Sequence, residues 1–258
     1  MKGAVAAGHP RTAEVGARVL AAGGNAVDAC VAAGFASWVA ESPLTGPGGG
    51  GFLLVHRARD RSTHLLDFFA AVPGLGSRRG RPAPIDEIDV DFAGSSTQRF
   101  RIGLGSCAVP GTAAGLEAAH RSFGSLPWRD LVEPAVELAR GGVVLTAEQA
   151  WLHGILDAIL RGYDEGRRVY GPERGLREGE TLLLPDLAGT LERLADEGAA
   201  AIHGGELGRA VAAHVPGISL DDLRSYRVIR RRPVRVRYRG HELLSNAPPS
   251  AGGNQRRS

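Results

Sequence analysis

A mixed α/β architecture, its sheet built from both ends of the chain around a helical middle, is the fold class this sequence predicts. Three observations carry it: strand-like apolar runs before residue 70, helical periodicity from Gly111 to about Asp222, and alternating strand patterning again from Val234. The composition agrees with a globular body. At 258 residues, 43% apolar and 23% charged, the chain has no polar tract or internal repeat, and folding would bury roughly 70–75% of its unfolded surface.

Taken in order, residues 1–8 read as a short buried strand ended by His9-Pro10. Thr12 then caps a helix carrying Val15, Val19 and Leu20, with Glu14 in its first turn, and Gly23 stops it. Asn25 caps a second helix, Ala26 to about Ala40, with Asp28 near its positive end. That helix is apolar nearly all round and so belongs at the centre of the core. The loop Ser42 to Gly51 is glycine-rich, and Phe52 to His56 with Ser62 to Phe69 form a hairpin around the polar turn Arg57 to Arg61. From Gly74 to Gly105, prolines, charges and Gly94-Ser95-Ser96 predict a long surface excursion. Helices follow over Thr112 to Ser122, Trp128 to Arg140, Thr146 to Leu160, Leu187 to Glu197 and Glu206 to His214, then strands over Val234 to Tyr238 and His241 to Leu244.

Charge and special residues weigh against several function classes. The net charge of +3 rests almost wholly on scattered arginines, Lys2 being the only lysine. The one local run, Arg227 to Arg239, alternates with Val and Tyr, so it reads as a strand with a solvated face rather than nucleic-acid contact. Cys30 and Cys107 give neither a disulfide framework nor metal-ligand spacing, and Cys30 reads as a small buried hydrophobe in an apolar helix. His9, His56, His64, His120, His153, His203, His214 and His241 contain no HxH or HExxH pair, so no metal is expected, and no cofactor either. The N-terminal MKGAVAAGHP lacks the apolar core of a signal peptide, and Gly23, Gly24 and Asp28 interrupt the best apolar stretch short of the ~20 residues that span a bilayer. A cytoplasmic location without a membrane span follows as the expectation.

The glycine loop contains Gly46-x-Gly48-x-x-Gly51, the letters of a dinucleotide fingerprint. That chemistry needs a strand before the loop and a helix after it, so that pyrophosphate meets a helix N-terminus. Here the order is reversed, and a tight structural loop is the expectation. There is no G-x-S-x-G elbow, and Ser106-Cys107-Ala108-Val109-Pro110 ends in a structural turn.

Seven segments in order nevertheless point to a family. They are Gly3 to Pro10, Gly23-Gly-Asn-Ala-Val-Asp-Ala29, Glu41-Ser-Pro-Leu-Thr-Gly-Pro-Gly-Gly-Gly-Gly-Phe52, Leu66 to Pro73, Val109-Pro-Gly-Thr-Ala-Ala-Gly115, Leu131 to Arg140, and Pro248-Pro-Ser-Ala-Gly-Gly253. Together they resemble the large-subunit region of γ-glutamyltransferases over about residues 3 to 253. The resemblance implies one incomplete domain over 1–253, part of an N-terminal-nucleophile hydrolase fold, a four-layer αββα sandwich shared with a small subunit. Residues 254–258 then form a non-matching tail. It also implies autoprocessing, a threonine that attacks a γ-glutamyl amide such as a glutathione-like compound, and an acyl-enzyme resolved by water or an amine.

Two departures shape the expectation. None of Thr12, Thr45, Thr63, Thr97, Thr112, Thr146, Thr181 or Thr190 sits in the family's Thr-Thr-His-type context, so no catalytic residue is assigned to this chain. It is expected to be truncated before the threonine and inactive alone, or to serve as a structural subunit needing a separately encoded small subunit. The second departure is Phe69, which stands where the resemblance places an arginine that pairs with the donor's α-carboxylate. Either another arginine substitutes for it or the donor differs from glutathione, and Phe69 itself lines the donor pocket or belongs to the core of an edge strand. A stand-alone binding protein using the glycine loop is the reading from outside enzymology.

Overall fold

A computed structural model describes residues 3–74 and 83–250. In chain order the helices and strands are α1 (Pro10–Ala21), α2 (Ala26–Ala40), β1 (Gly51–Arg57), β2 (Ser62–Phe68), β3 (Asp86–Asp91), β4 (Thr97–Ile102), α3 (Thr112–Phe123), α4 (Trp128–Gly141), β5 (Val143–Val144), α5 (Ala147–Ile155), α6 (Asp157–Leu160), α7 (Asp164–Tyr170), β6 (Thr181–Leu182), α8 (Pro185–Glu197), α9 (Glu206–His214), α10 (Leu220–Ser225), β7 (Ile229–Arg231), β8 (Val234–Tyr238) and β9 (His241–Ser245). The expected mixed α/β class holds, with one correction to the sheet: β7 joins β1 and β2 in one antiparallel sheet of order β1-β2-β7, whereas the expected C-terminal strands β8 and β9 pair with each other in a separate hairpin. No helix among the described residues is long and apolar enough to cross a membrane. The proposed tail at 254–258 and the segment 75–82 lie outside the described residues.

Helix α2 is the axis of the core because eleven of its fifteen residues are buried, leaving no polar face. It packs against α1 on one side and α4 on another, while α4 continues the layer to α8. Phe35 meets Trp38 and Trp128 edge-on at 4.9 and 5.3 Å, and the Trp128 indole N–H donates to the Leu194 carbonyl at 2.7 Å, fastening α4 to α8. The N-terminus of α2 is tied down by a capping box, Asn25 Oδ1 accepting from Val27 and Asp28 while Asp28 Oδ2 accepts from Asn25 N. Asp28 is fully buried and also accepts from Ser125 N, Ser125 Oγ and Leu126 N. Burial would raise its carboxyl pKa, but the donors from Ser125, Asn25 and Leu126 outweigh that and hold it below the ordinary carboxylate value.

The sheet has two unlike faces. Register pairs Leu53 with Leu66, Val55 with His64 and Leu66 with Arg230, and this face meets α3: His64 packs on Phe123 at 5.0 Å, and Arg230 donates to Ser122 Oγ at 2.7 Å. Phe68 lies so close to α3 that a Cβ on Gly115 would collide with its ring. The opposite face carries Phe52, Leu54, Leu65, Asp67, Ile229 and Arg231 by the same alternation. There the outer strands leave Leu54 42% and Ile229 47% exposed, while Leu65 and Asp67 on the central strand are buried.

Several expectations are corrected. Residues 3–8 form no strand; they lie along α1, Gly3 beside Leu20 and Val5 beside Gly16, where no strand offers backbone partners. The cap of α1 is His9 rather than Thr12: its Nδ1 accepts from Arg11 N at 3.1 Å, Pro10 starts the helix, and Thr12 is buried inside it. Glu14 accordingly lies beyond the first turn and pairs with Arg11. Within the expected surface excursion, residues 86–102 form the hairpin β3–β4, held by cross-strand ion pairs of Arg99 with Asp89 and Arg101 with Glu87. The helix expected from Thr146 to Leu160 breaks at Leu156, whose ψ of 8° leaves the helical range. Cys30 is exposed, not buried, because α2 turns it toward a groove of about 750 Å³ along β1; protein around it still pushes its thiol pKa up through desolvation.

Candidate functional site

The residues with the most unusual local arrangement gather where β2 ends. Asp67, buried at the last β2 position on the face away from α3, accepts from Phe69 N at 3.0 Å with one carboxylate oxygen and from Arg231 Nε at 2.5 Å with the other. The charge-assisted contact to β7 fixes the carboxylate, and the carboxylate in turn fixes the backbone turn at Phe69. Tyr226 donates its hydroxyl to the Phe69 carbonyl at 2.9 Å. Burial first, and the Asp67 charge second, push the Tyr226 pKa upward, so the phenol stays a donor. His203 stacks on Tyr226 with ring centroids 5.1 Å apart and donates Nδ1–H to the Leu223 carbonyl at 3.1 Å; burial lowers its pKa and keeps it neutral.

The glycine loop clamps the same strip from the other side. Gly49 N donates to Gly46 O at 3.1 Å, and Gly49 O accepts from Gly111 N at 2.8 Å and Thr112 N at 3.2 Å, joining the loop to the start of α3. Gly50 lies against the Phe69–Ala70 backbone so closely that any Cβ would meet Ala70 N, which requires glycine there. Ala71 exchanges both backbone hydrogen bonds with Val109 at 3.0 and 2.8 Å. Residues 67–71 are thereby held rigid by backbone contacts on both sides.

Out of this clamp the Phe69 side chain projects, 45% exposed and stacked on Phe52 with centroids 5.6 Å apart. The alternative of an edge-strand core residue fails: β2 is the central strand and ends at Phe68, one residue earlier. The loop stands between helix α2 and strand β1, the order that disfavours a nucleotide fingerprint. Sequence reasoning missed Tyr226 and the Asp67–Arg231 pair. Tyr226 carried no local signal, whereas a lone Asp at an alternating strand position opposite an arginine-rich segment was readable as a cross-strand pair.

The chemistry available in the strip is recognition rather than bond-breaking. It offers a fixed backbone, an exposed aromatic pair and a neutral phenol. Three of the internal threonines do structural work away from the strip: Thr146 caps α5, Thr45 donates to Ser37 Oγ at 3.0 Å, and Thr12 is buried in α1; Thr112 starts α3 beside the glycine loop. Among the described residues no three His, Cys, Asp or Glu side chains converge in a metal-holding group.

Comparison with known proteins adds the context. The family profile described as gamma-glutamyltranspeptidase matches residues 12–254. A glutathione hydrolase proenzyme from Pseudomonas aeruginosa is 34% identical over 256 residues, covering 97% of this chain and 44% of that protein. The Acylase ACY 1 proenzyme from Pseudomonas sp. strain SE83 is likewise 34% identical, over 98% of this chain and 46% of that protein. The crystal structure of Helicobacter pylori gamma-glutamyltranspeptidase superposes with a TM-score of 0.83 at 30% identity, covering 98% of this chain and 72% of that one. The chain thus spans under half the length of these two curated relatives.

Proposed function

The chain belongs to the γ-glutamyltranspeptidase family, and from that premise we propose that it forms the donor-holding part of an amide-cleaving acyltransferase whose threonine nucleophile is supplied by a small-subunit polypeptide. In this reading a threonine with a free α-amine attacks the amide, the amine serving as its base, and the acyl-enzyme passes its acyl group to water or an amine. This chain contributes the rigid strip 67–71, which positions the donor beside the incoming threonine. The observation that carries the reading is the clamped strip itself, lying within the family match at the open end of the sheet. The apolar open face, with Leu54, Phe69 and Ile229 exposed, favours a second polypeptide part packing upon it.

Phe69 is the substrate-binding residue of this proposal. A phenyl ring offers a carboxylate no donor, and the Nε of Arg231, which lies across the sheet from β2, is committed to Asp67. The preferred donor therefore differs from glutathione at the α-carboxylate end. Equal identity to a glutathione hydrolase and to an acylase leaves both acyl classes open on sequence alone. The test is to assay amide cleavage with γ-glutamyl and simple acyl anilides, using the chain by itself and co-produced with a family small subunit. Cleavage only by the pair is expected; turnover by the chain alone would overturn the assignment of the nucleophile.

A further inference from the structure

The arginine run near the C-terminal strands is left unused by the strip at the end of β2. Strand β7 ends at Arg231 beside Leu65, and Pro233 leads the chain into β8. Arg230, Arg231, Arg232 and Arg235 consequently surround a concave pocket of about 270 Å³ together with Thr63 and His64 of β2. Asp67 holds Arg231 at 2.5 Å, and Glu242 holds Arg235 at 3.1 Å. Among the described residues the Arg230 side chain donates to the neutral Ser122 hydroxyl. Arg232 makes no hydrogen bond or ion pair among the described residues.

Charges of one sign gathered in a hollow repel one another, and concave walls focus their field on the space between them. A strand whose arginines merely faced solvent would spread them over a convex surface, as Arg237 and Arg239 further along β8 and its turn are spread outside this pocket. Planar guanidinium forks match two oxygens of a phosphate or carboxylate at once. We propose that this pocket binds a compact multivalent oxyanion, the phosphate or carboxylate group of a small ligand, with Arg232 as its principal contact. Arg231 borders both places: its Nε is held on Asp67, and the residue lines the pocket.

Calorimetric titration of the chain with inorganic pyrophosphate, and separately with citrate, at low ionic strength tests this. Saturable one-to-one binding of at least one probe is expected; pyrophosphate alone would assign the site to phosphates, citrate alone to carboxylates. Arg232→Gln should weaken that binding about tenfold or more, the loss of one charge-assisted fork, while the charge-matched Arg237→Gln changes it little. Because Arg232 makes no hydrogen bond or ion pair among the described residues, an unchanged unfolding transition in Arg232→Gln is expected alongside. Equal weakening by the two variants would mean diffuse charge and overturn the site, as would absence of saturable binding into the millimolar range.

Discussion

The two faces of the β1-β2-β7 sheet differ in what lies against them. On one, Leu66 and Phe68 are sealed under α3, and α3 is backed by α2, so side-chain volume there is fixed by close packing. On the other, Phe52 and Phe69 stack in the open and Leu54 and Ile229 face solvent. The difference teaches where selection for stability and selection for recognition are separated in this fold. Substitutions on the sealed face act on folding, whereas those on the open face act on what the sheet meets.

The sharpest way to break that contrast is a matched truncation. Leu66→Ala should cost about 3 kcal/mol of unfolding free energy, from lost burial and the cavity left behind. Leu54→Ala, already 42% exposed, should cost under about 1 kcal/mol. Urea unfolding of the two variants decides the matter, and equal losses would erase the distinction between faces.

Asp28 extends the sealed side to its helical support. Asp28→Ala removes a buried acceptor of several hydrogen bonds and should cost about 2–3 kcal/mol. Its folded pKa lies below the unfolded value of about 3.9, so its contribution is complete above that pH and lost as pH falls below it. Stability measured against pH should show a steeper acid limb in the parent chain than in Asp28→Ala.

The open face makes a different demand. An apolar face beside an edge strand, β1, invites self-association, so Leu54→Glu should raise the monomer fraction in sedimentation while shifting stability by under about 0.5 kcal/mol. The cap of α1 makes a modest, pH-dependent contribution. Burial lowers the His9 pKa, partly opposed by Glu41, and only neutral His9 accepts from Arg11 N. The unfolded chain binds the proton more readily, so this cap's contribution is full above pH of about 6.5 and fades below it. His9→Ala should cost about 0.5–1 kcal/mol at neutral pH and less in mild acid.

Much of this was legible where local chemistry and packing agree. Helix α2 matches its expected span because Asn25 caps it and apolar residues fill every side, and the hairpin β1–β2 follows from its alternation around the Arg57–Arg61 turn. The hairpin β3–β4 was not, since its cross-strand pairs are ionic and its pattern resembles a solvated loop until Asp89 and Arg99 are seen opposite each other. His9 was overlooked as a cap because the usual capping residue, Thr12, stood three positions on. At the site, the glycine loop and Phe69 were visible as motifs, but their convergence with Tyr226 depends on contacts across 157 residues of chain.

On the proposed function, Phe69 sets donor choice at the open end of the sheet. Steady-state kinetics of Phe69→Arg, co-produced with a family small subunit and assayed on a γ-glutamyl anilide, measures this directly. A gained guanidinium–carboxylate fork of about 1.5–3 kcal/mol predicts a rise of roughly ten- to a hundredfold in kcat/KM over the parent pair; an unchanged or lower kcat/KM for the γ-glutamyl donor would contradict it.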